Sequence, residues 1–448
     1  MRLTGRARHY YRLATTAMLQ LDRPAPPRSE QEIAGEVQRN YRWNFSVNLL
    51  DSAVFLFGLS FISSSTIAPL FVSKLTTSPL AIGLVAVIAQ AGWLLPQLFT
   101  ANFVERLPRK KPFVINLGFF LERLPMWLLV VAAWIAVDAP TAALLVFFVG
   151  YAWHSFGAGV VATSWQDLLA RCFPVARRGS FFGISTFAGT GMGALGAILS
   201  IWLLETYPFS TDFVYIFIIA AIALLVSWIF LALTREPAHS IRAEPQSNRQ
   251  FFASLPGILR RDLNFRRFLL ARSLLALGSL GTGFVAVAAI QRWQVPDSTV
   301  GIFTTASLLG QTLGNLSFGF MADRFGHKLS LELGALSSVL AFSLAWLAPT
   351  PVWYYAVFFL LGINLGAVLV SGILAPMEFS EPQRRPTYVG MANTATGLVS
   401  IVAPLLGAWL VSKNYNLVFA VGAAVNLAAL IALRWWVREP RWTAVIKV

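Results

Sequence analysis

Residues 319–328 read GFMADRFGHK, and residues 101–110 read ANFVERLPRK, an imperfect copy of the same pattern. Glu105 of one copy aligns with Asp323 of the other, and the two positions are 218 residues apart. Each copy follows a long apolar run and precedes another. A motif repeated between apolar runs predicts a membrane protein built from two similar halves, an architecture that belongs mainly to carriers.

The composition is that of a polytopic membrane protein. The chain is 56% hydrophobic and only 12% charged, whereas about a quarter of residues are charged in a soluble domain. Several runs approach or exceed the roughly 18 apolar residues that cross a bilayer as helix. Apolar runs bounded by Pro, Gly and charge predict twelve spans, at about 46–72, 79–104, 112–136, 141–166, 181–204, 213–234, 267–290, 298–320, 328–348, 352–376, 387–411 and 415–436.

The 35 Lys and Arg residues are distributed unequally between the two sides of this layout. Thirty lie in the tails and loops on one side, against Lys74, Arg292 and Lys413 on the other, while Arg123 and Arg272 lie within spans. The positive-inside rule therefore predicts that both termini are cytoplasmic. The net charge of +15 indicates contact with anionic headgroups of the lipid bilayer and no nucleic-acid partner.

No catalytic or metal-binding pattern emerges. Cys172 is the single cysteine, the four histidines are far apart, and the chain contains no Gly-Lys dipeptide and hence no phosphate-binding P-loop. We expect a protein that is not an enzyme and that needs no cofactor or metal.

Further repeats define the domains. Arg-Glu-Pro closes the sixth span at 235–237 and the twelfth at 438–440, and paired arginines precede the fifth and eleventh spans. Ser29 and Glu32 have capping-box spacing, which predicts a short helix before the first span. We predict a cytoplasmic tail at 1–42, six-helix bundles at 43–235 and 265–437, a cytoplasmic linker at 236–264 with a surface helix near 250–262, and a cytoplasmic tail at 438–448.

The chain resembles the major facilitator superfamily over about residues 43–437. The second motif copy carries every expected residue, namely Gly319, Asp323, Arg324, Gly326 and Lys328, whereas the first copy departs from the pattern at Ala101, Glu105 and Pro108. In more detail the chain is similar to an uncharacterised bacterial branch with Pro-Gln-Leu at 96–98, Glu-Arg-Leu-Pro at 122–125 and Trp-Gln-Asp at 165–167.

The resemblance implies an all-α fold of twelve transmembrane helices in two pseudo-symmetric six-helix bundles, located in the bacterial cytoplasmic (inner) membrane. It also implies alternating access, with the loop motifs latching the outward-facing state. The acidic motif residues would face helix N-termini, and Arg106 and Arg324 would pair with acids that end neighbouring helices. Asp167, which ends the fourth span, and Glu378, which ends the tenth, are the candidates for these acids. The alternative is that these residues only anchor the loops. The latch candidates are Glu105, Arg106, Lys110, Asp167, Gly319, Asp323, Arg324, Gly326, Lys328 and Glu378.

Charges inside the spans mark candidate functional groups, since a charge at mid-bilayer costs at least ~2.5–3.5 kcal/mol. Glu122 lies near the midplane beside Arg123, and adjacent helical residues diverge by about 100°, so we expect one of them to find a partner on another helix. His154 is a candidate neighbour. Glu122 and Asp51 are either proton-coupling groups or members of structural ion pairs, and Arg123 is an anchor for an anionic substrate or for a neighbouring acid. We expect Arg272 to snorkel to the interface.

Uncharged polar groups also recur at depth. Gln90, Gln311, Asn315 and Asn364 either bond across helices or contact a solute in the cavity. The glycines of the fifth span predict close packing against the eighth. The sequence therefore predicts a secondary transporter of a small solute, coupled to protons and monomeric. A transport-silent receptor, sensor or assembly scaffold is the alternative.

Overall fold

The chain is mostly helical in the residues that the computed structural model describes, which are 16, 18–20, 28–64, 66–238, 247–294 and 298–441. No strand occurs within these ranges. The first-half helices are α1 Glu30–Ser60, α2 Ile67–Leu75, α3 Pro79–Leu94, α4 Gln97–Glu105, α5 Met126–Trp134, α6 Pro140–Cys172, α7 Arg178–Thr206 and α8 Thr211–Ala232. The later helices are α9 Asn248–Arg261, α10 Leu263–Gly278, α11 Val285–Trp293, α12 Ser298–Phe325, α13 His327–Leu347, α14 Trp353–Glu378, α15 Arg385–Val411 and α16 Tyr415–Ile431.

Ten helical segments among the described residues are long and apolar enough to cross a membrane. They are Ala81–Glu105, Phe113–Trp134, Pro140–Cys172, Val175–Thr206, Thr211–Ala232, Leu263–Trp293, His327–Leu347, Trp353–Glu378, Pro382–Val411 and Tyr415–Trp436. The remaining two expected spans, 46–72 and 298–320, fall on α1 with α2 and on α12, which are helical but not among the ten. The multi-pass class is therefore confirmed, and the count of twelve stays a prediction.

Two helix starts were readable from the sequence. Ser29 Oγ accepts a hydrogen bond from Glu32 N (3.3 Å) and Glu32 Oε2 accepts one from Ser29 N (2.7 Å), which forms the expected capping box. The helix that begins there does not stop before the membrane but continues as α1 for 31 residues. Ser247 and Gln250 form a second capping box at α9, where a surface helix was expected.

The chain divides into two compact units, each with its own core. Unit 1 comprises Met1–Pro174, Gly191–Gln246 and Gln383–Gly390, and unit 2 comprises Val175–Thr190, Ser247–Pro382 and Met391–Val448. In the core of unit 1, the Phe71 ring lies 5.0–5.3 Å from three phenylalanine rings of α6 and α8. The core of unit 2 centres on fully buried Tyr354 and its neighbours. The predicted domain limits stay a prediction.

Glycines bring helices into backbone contact. A Cβ on Gly183 of α7 would lie 2.6 Å from the Asn315 carbonyl oxygen and 2.9 Å from the Gly319 Cα, both in α12. This contact confirms that the fifth span packs against the eighth. Gly92 of α3 and Gly310 of α12 are also 218 residues apart. Gly92 lies against the backbone of α6, and Gly310 lies against the backbone of α14.

Candidate functional site

The complete motif copy places a carboxylate at the start of α7, within unit 2. Asp323 Oδ1 accepts from Gly179 N (2.7 Å), and Oδ2 accepts from Ser180 N (2.7 Å) and from Ser180 Oγ. The first N–H groups of a helix have no intrahelical partners, and the helix dipole favours negative charge there. The carboxylate of Asp323 therefore faces a helix N-terminus, as expected. Gly179 must lack a side chain, because its Cβ would lie 2.7 Å from Asp323 Oδ1.

The degraded copy makes the equivalent contact within unit 1. Glu105 Oε1 accepts from Thr387 N (3.1 Å) and from the Thr387 hydroxyl, in the first turn of α15. Here one backbone N–H is bound instead of two. The first copy, with Glu in place of Asp and Pro108 in place of the second motif glycine, thus keeps the contact between a carboxylate and a helix start, but with fewer hydrogen bonds to backbone N–H groups.

Asp167, which ends the fourth span, is the centre of a buried cationic cluster. Its Oδ2 lies 3.2 Å from Arg171 Nε and 3.5 Å from Lys110 Nζ, and its Oδ1 lies 3.7 Å from Arg385 Nη1. Lys110 is fully buried, and its ammonium also donates to the Leu107 carbonyl (3.1 Å). Lys110 therefore ties the motif loop to α6. The Arg106 Nη2 donates to Asn102 Oδ1 (2.7 Å) on its own helix.

At Glu378 the expected partner is replaced by another arginine. Arg441 Nε and Nη2 both lie 2.6 Å from Glu378 Oε1, and Arg441 Nη1 donates to the carbonyls of Ala322 (2.9 Å) and Asp323 (3.1 Å). Arg324 instead is exposed, with its guanidinium 5.3 Å from the centre of the Phe325 ring. The expected pairing of Arg324 with Glu378 is wrong, because the chain beyond the twelfth span brings Arg441 to that carboxylate.

Two glutamates that sequence reasoning did not assign complete these loops. Glu236 accepts from Lys110 N (2.8 Å) and Lys111 N (2.9 Å), and Glu439 accepts from Lys328 N (3.0 Å). Gly326, at φ 88°, adopts a left-handed conformation next to Glu439. A Cβ there would also collide with the Glu439 carboxylate.

An asparagine clamp accompanies each of these glutamates. Asn44 Nδ2 donates to the Arg235 carbonyl (3.0 Å) and Asn44 Oδ1 accepts from Arg235 N (2.8 Å). Asn264 makes the same two bonds with Arg438, at 2.9 and 2.8 Å. The repeated Arg-Glu-Pro segments were the sequence signal that pointed to both clamps.

Burial shifts the acid–base behaviour of the loop groups. Burial raises the pKa of Glu439 to about 7, and neighbouring Glu378 adds to that rise. Burial also raises the pKa of Glu236, against the opposing charge of Arg171. Burial lowers the pKa of Lys110 to about 8, although Asp167 and Glu236 favour its charged form. These loops therefore contain groups that titrate near neutral pH.

A second cluster lies inside the membrane-spanning part of unit 1. Arg123 forms an ion pair with Glu122, and its charge also interacts with that of Asp51. Asp51 Oδ1 accepts from Ser227 Oγ (2.5 Å), and His154 Nδ1 donates to the Glu122 carbonyl (2.7 Å). The cluster draws on α1, α6, α8 and the third span.

The pairing of Glu122 with Arg123 corrects the expectation that adjacent residues diverge too far to pair, whereas the expected partner on another helix is present, since Arg123 interacts with Asp51 of α1. The segment Phe119–Arg123 is a π-helix, so the ideal α-helical angle does not apply, and the long arginine side chain reaches back to its neighbour. Glu122 is only 5% exposed. This burial favours an ion-pair network over a carboxylate that faces open water.

The uncharged polar candidates are divided between the two units. Gln90 is exposed on α3 in unit 1, whereas the other three lie in unit 2. Asn364 donates to the Gly334 carbonyl (2.8 Å), a bond between neighbouring helices. Asn315 is fully buried and donates to Thr190 Oγ1 (3.4 Å), and Gln311 is half-buried one turn before it.

Arg272 forms a hydrogen bond to a neighbouring helix. The helix α10 begins at Leu263, so Arg272 lies nine residues inside it. Its Nη2 donates to Asn393 Oδ1 (2.8 Å) on α15. The guanidinium is thus held between two helices, and its position relative to the interface stays a prediction.

Comparison with known proteins decides the family. The model of the Major Facilitator Superfamily matches residues 50–293 and 268–446. The chain belongs to the Major Facilitator Superfamily. The two matched ranges cover both motif copies and the clamp of Asn264 with Arg438.

Curated relatives in this superfamily are named as transporters. The chain is 31% identical to the gallate transporter of Pseudomonas putida over 156 residues, which is 34% of each chain. It is 28% identical to the 4-hydroxybenzoate transporter PcaK of Acinetobacter baylyi over 167 residues, which is 37% of this chain and 36% of that one. The chain thus spans about a third of the length of the curated relatives that it matches.

Solved structures share the superfamily fold. The fucose:proton symporter FucP of E. coli, in its outward conformation, has a TM-score of 0.71 at 15% identity, over 88% of this chain and 99% of that one. At this identity the likeness establishes the fold alone. It confirms the fold class that the motif repeat predicted.

Proposed function

We propose that this protein is a secondary active transporter that moves a small organic solute across the bacterial inner membrane by alternating access. The observation that carries the proposal is the pair of carboxylate contacts at helix starts, Asp323 with Gly179 and Ser180, and Glu105 with Thr387. Each contact joins a loop of one sequence half to a helix of the other half. A carrier that works by alternating access must make and break contacts between its two sequence halves in each cycle, and these contacts are of that kind.

The chemistry of these contacts suits a reversible latch. Hydrogen bonds to a charged group contribute about 1.5–3 kcal/mol each, and water can replace them when the groups separate. A few such bonds stabilise one conformation without making it permanent, since a shift between two states needs only a few kcal/mol. A receptor or scaffold would not require the contact in both sequence halves.

The relatives support the solute class. Gallate and 4-hydroxybenzoate, the solutes named for two matched relatives, are small aromatic carboxylates. We take such organic acids as the first solutes to test.

We further propose coupling to protons through the cluster of Asp51, Glu122 and Arg123. Two carboxylates share one guanidinium there, so full ionisation would leave one net negative charge in a buried site. An uncompensated charge in a membrane span is costly. One carboxylate is therefore expected to hold a proton, and release of that proton is the coupling step.

The test is transport by purified protein in liposomes with an imposed pH gradient and labelled 4-hydroxybenzoate. We expect accumulation that an uncoupler abolishes, and Glu122→Gln and Asp51→Asn variants that exchange solute without accumulating it. Glu381→Gln, an exposed acid outside the cluster, is the matched control. Accumulation that is normal in both cluster variants would refute the coupling role.

A chain that binds solutes yet transports none would favour the receptor alternative. A thermal-shift screen of a solute library on the purified protein separates these cases, because binding is measured without transport.

A further inference from the structure

Arg272 of α10, in unit 2, is a charged residue inside a helix whose hydrogen-bond partner is neutral. It lies nine residues after the first residue of α10, which corresponds to about 14 Å along the helix. Half of a hydrocarbon core of about 30 Å is of similar size. Its partner Asn393 lies eight residues after the first residue of α15, at about 12 Å. Both residues therefore lie two or more turns inside their helices, at similar distances from the helix starts.

The guanidinium of Arg272 has a neutral partner and no acidic one. Nη2 donates to Asn393 Oδ1 at 2.8 Å, whereas Nη1 is buried and has no hydrogen-bond partner. Among the described residues no acidic side chain forms an ion pair with Arg272. Arg123, the other arginine deep in a span, is paired with Glu122 and interacts with Asp51.

An unpaired cation at this depth needs an explanation. A buried charge without a counter-ion costs several kcal/mol, and intramembrane arginines almost always find an acid, a carbonyl or a water-filled cavity. The amide of Asn393 orients the guanidinium and supplies no negative charge. The half-buried side chain thus presents a donor that is fixed in place and lacks an acceptor.

We propose that Arg272 binds the carboxylate of a monoanionic organic acid, with Asn393 as the positioning residue. This inference rests on the proposed function and specifies the solute class. The planar guanidinium matches a carboxylate through two parallel N–H···O bonds. One positive charge balances one negative charge, so a doubly charged phosphate ester would leave an excess charge in the span.

Binding to the purified full-length chain tests the solute class. Isothermal titration calorimetry compares 4-hydroxybenzoate, benzoate and acetate with their neutral amides. We expect a carboxylate to bind and its amide not to bind. Arg272→Gln should weaken carboxylate binding about 10- to 100-fold. Arg266→Gln, an exposed arginine of the same helix, should leave it unchanged.

A second measurement separates a binding role from a structural one. Without ligand, Arg272→Gln should melt at the same temperature as the wild type or higher, because an unpaired buried charge has been removed. A lower melting temperature would mean that Arg272 supports the fold through Asn393, which overturns the proposal. Wild-type binding of an amide as tight as that of its carboxylate, or of no carboxylate, also overturns it.

Uptake into liposomes keeps this inference distinct from the transporter proposal. If the wild type and Arg272→Gln both accumulate a neutral solute, the carboxylate site is refuted and transport stands. If the wild type binds a carboxylate through Arg272 and transports nothing, the site stands and the transporter function fails.

Discussion

Replacing Asp323 by Asn tests whether the motif contact stabilises the start of α7. Asn has the same shape but no charge, and it offers one oxygen where Asp323 offers two to Gly179 N and Ser180 N at 2.7 Å each. One of these N–H groups must then face an NH₂ group. The loss is one hydrogen bond to a charged group, about 1.5–3 kcal/mol, and the favourable dipole interaction, about 0.3–1 kcal/mol.

The sum, roughly 2–4 kcal/mol, corresponds to about 30-fold or more in the local opening equilibrium. Hydrogen exchange measured by mass spectrometry reports that equilibrium directly, since the two donors are backbone amides. A peptide that covers Gly179 and Ser180 should exchange at least 30-fold faster in Asp323→Asn than in the wild type.

Two controls make the result specific. Glu381→Gln changes an exposed acid and should leave the same peptide unaffected. Peptides of α8 should also keep their exchange rates, which excludes global destabilisation. Unchanged exchange at Gly179 and Ser180 in Asp323→Asn would show that the contact contributes no stability, and the latch proposal would lose its basis.

Three further predictions follow from individual residues. Because burial and Glu378 raise the folded-state pKa of Glu439 to about 7, this group binds more protons in the folded than in the unfolded protein, and its contribution to stability is lost as pH rises from 5 to 7. The melting temperature of Glu439→Gln relative to that of the wild type should therefore rise over this pH range. Gly92→Ala would place a Cβ 2.6 Å from the Ser155 Cβ and should destabilise the protein by about 1–3 kcal/mol in thermal unfolding, whereas Gly191→Ala, with open space around it, should not. A reporter fused after Val448 should be active only in the cytoplasm, and periplasmic activity would contradict the predicted topology.

The repeat could be recognised in the sequence because its charged motif residues stand out between long apolar runs. The aspartate in GFMADRFGHK and the spacing of 218 residues marked two loops with one role. The carboxylates at the starts of α7 and α15 follow from that spacing and from the electrostatics of helix ends. The glycine contacts between α7 and α12 were readable for the same reason, since close approach requires glycine.

Side-chain partners inside the spans were harder to predict. Glu122 and Arg123, in a π-helical segment, were expected to diverge, yet the long arginine side chain lets them pair. Arg272 was expected at the interface because its apolar run begins near 267, whereas Asp262 caps α10 by accepting from Phe265 N (2.9 Å) and starts the helix earlier. In both cases local helix geometry, which hydropathy does not encode, decided the contact.

The asparagine clamps indicate which part of the repeat fixes the position of the motif loops. Asn44 and Asn264 bind Arg235 and Arg438 by the same two reciprocal bonds, although the neighbouring motif copies differ at several positions. A side-chain amide that satisfies both a backbone N–H and a backbone carbonyl fixes the chain at the end of the sixth and twelfth spans. That fixed end delivers Glu236 and Glu439 to the lysine amides of the motif loops. The loops are thus held by the clamps, which leaves the motif carboxylates free to contribute to the contacts with α7 and α15 that we propose to break and re-form.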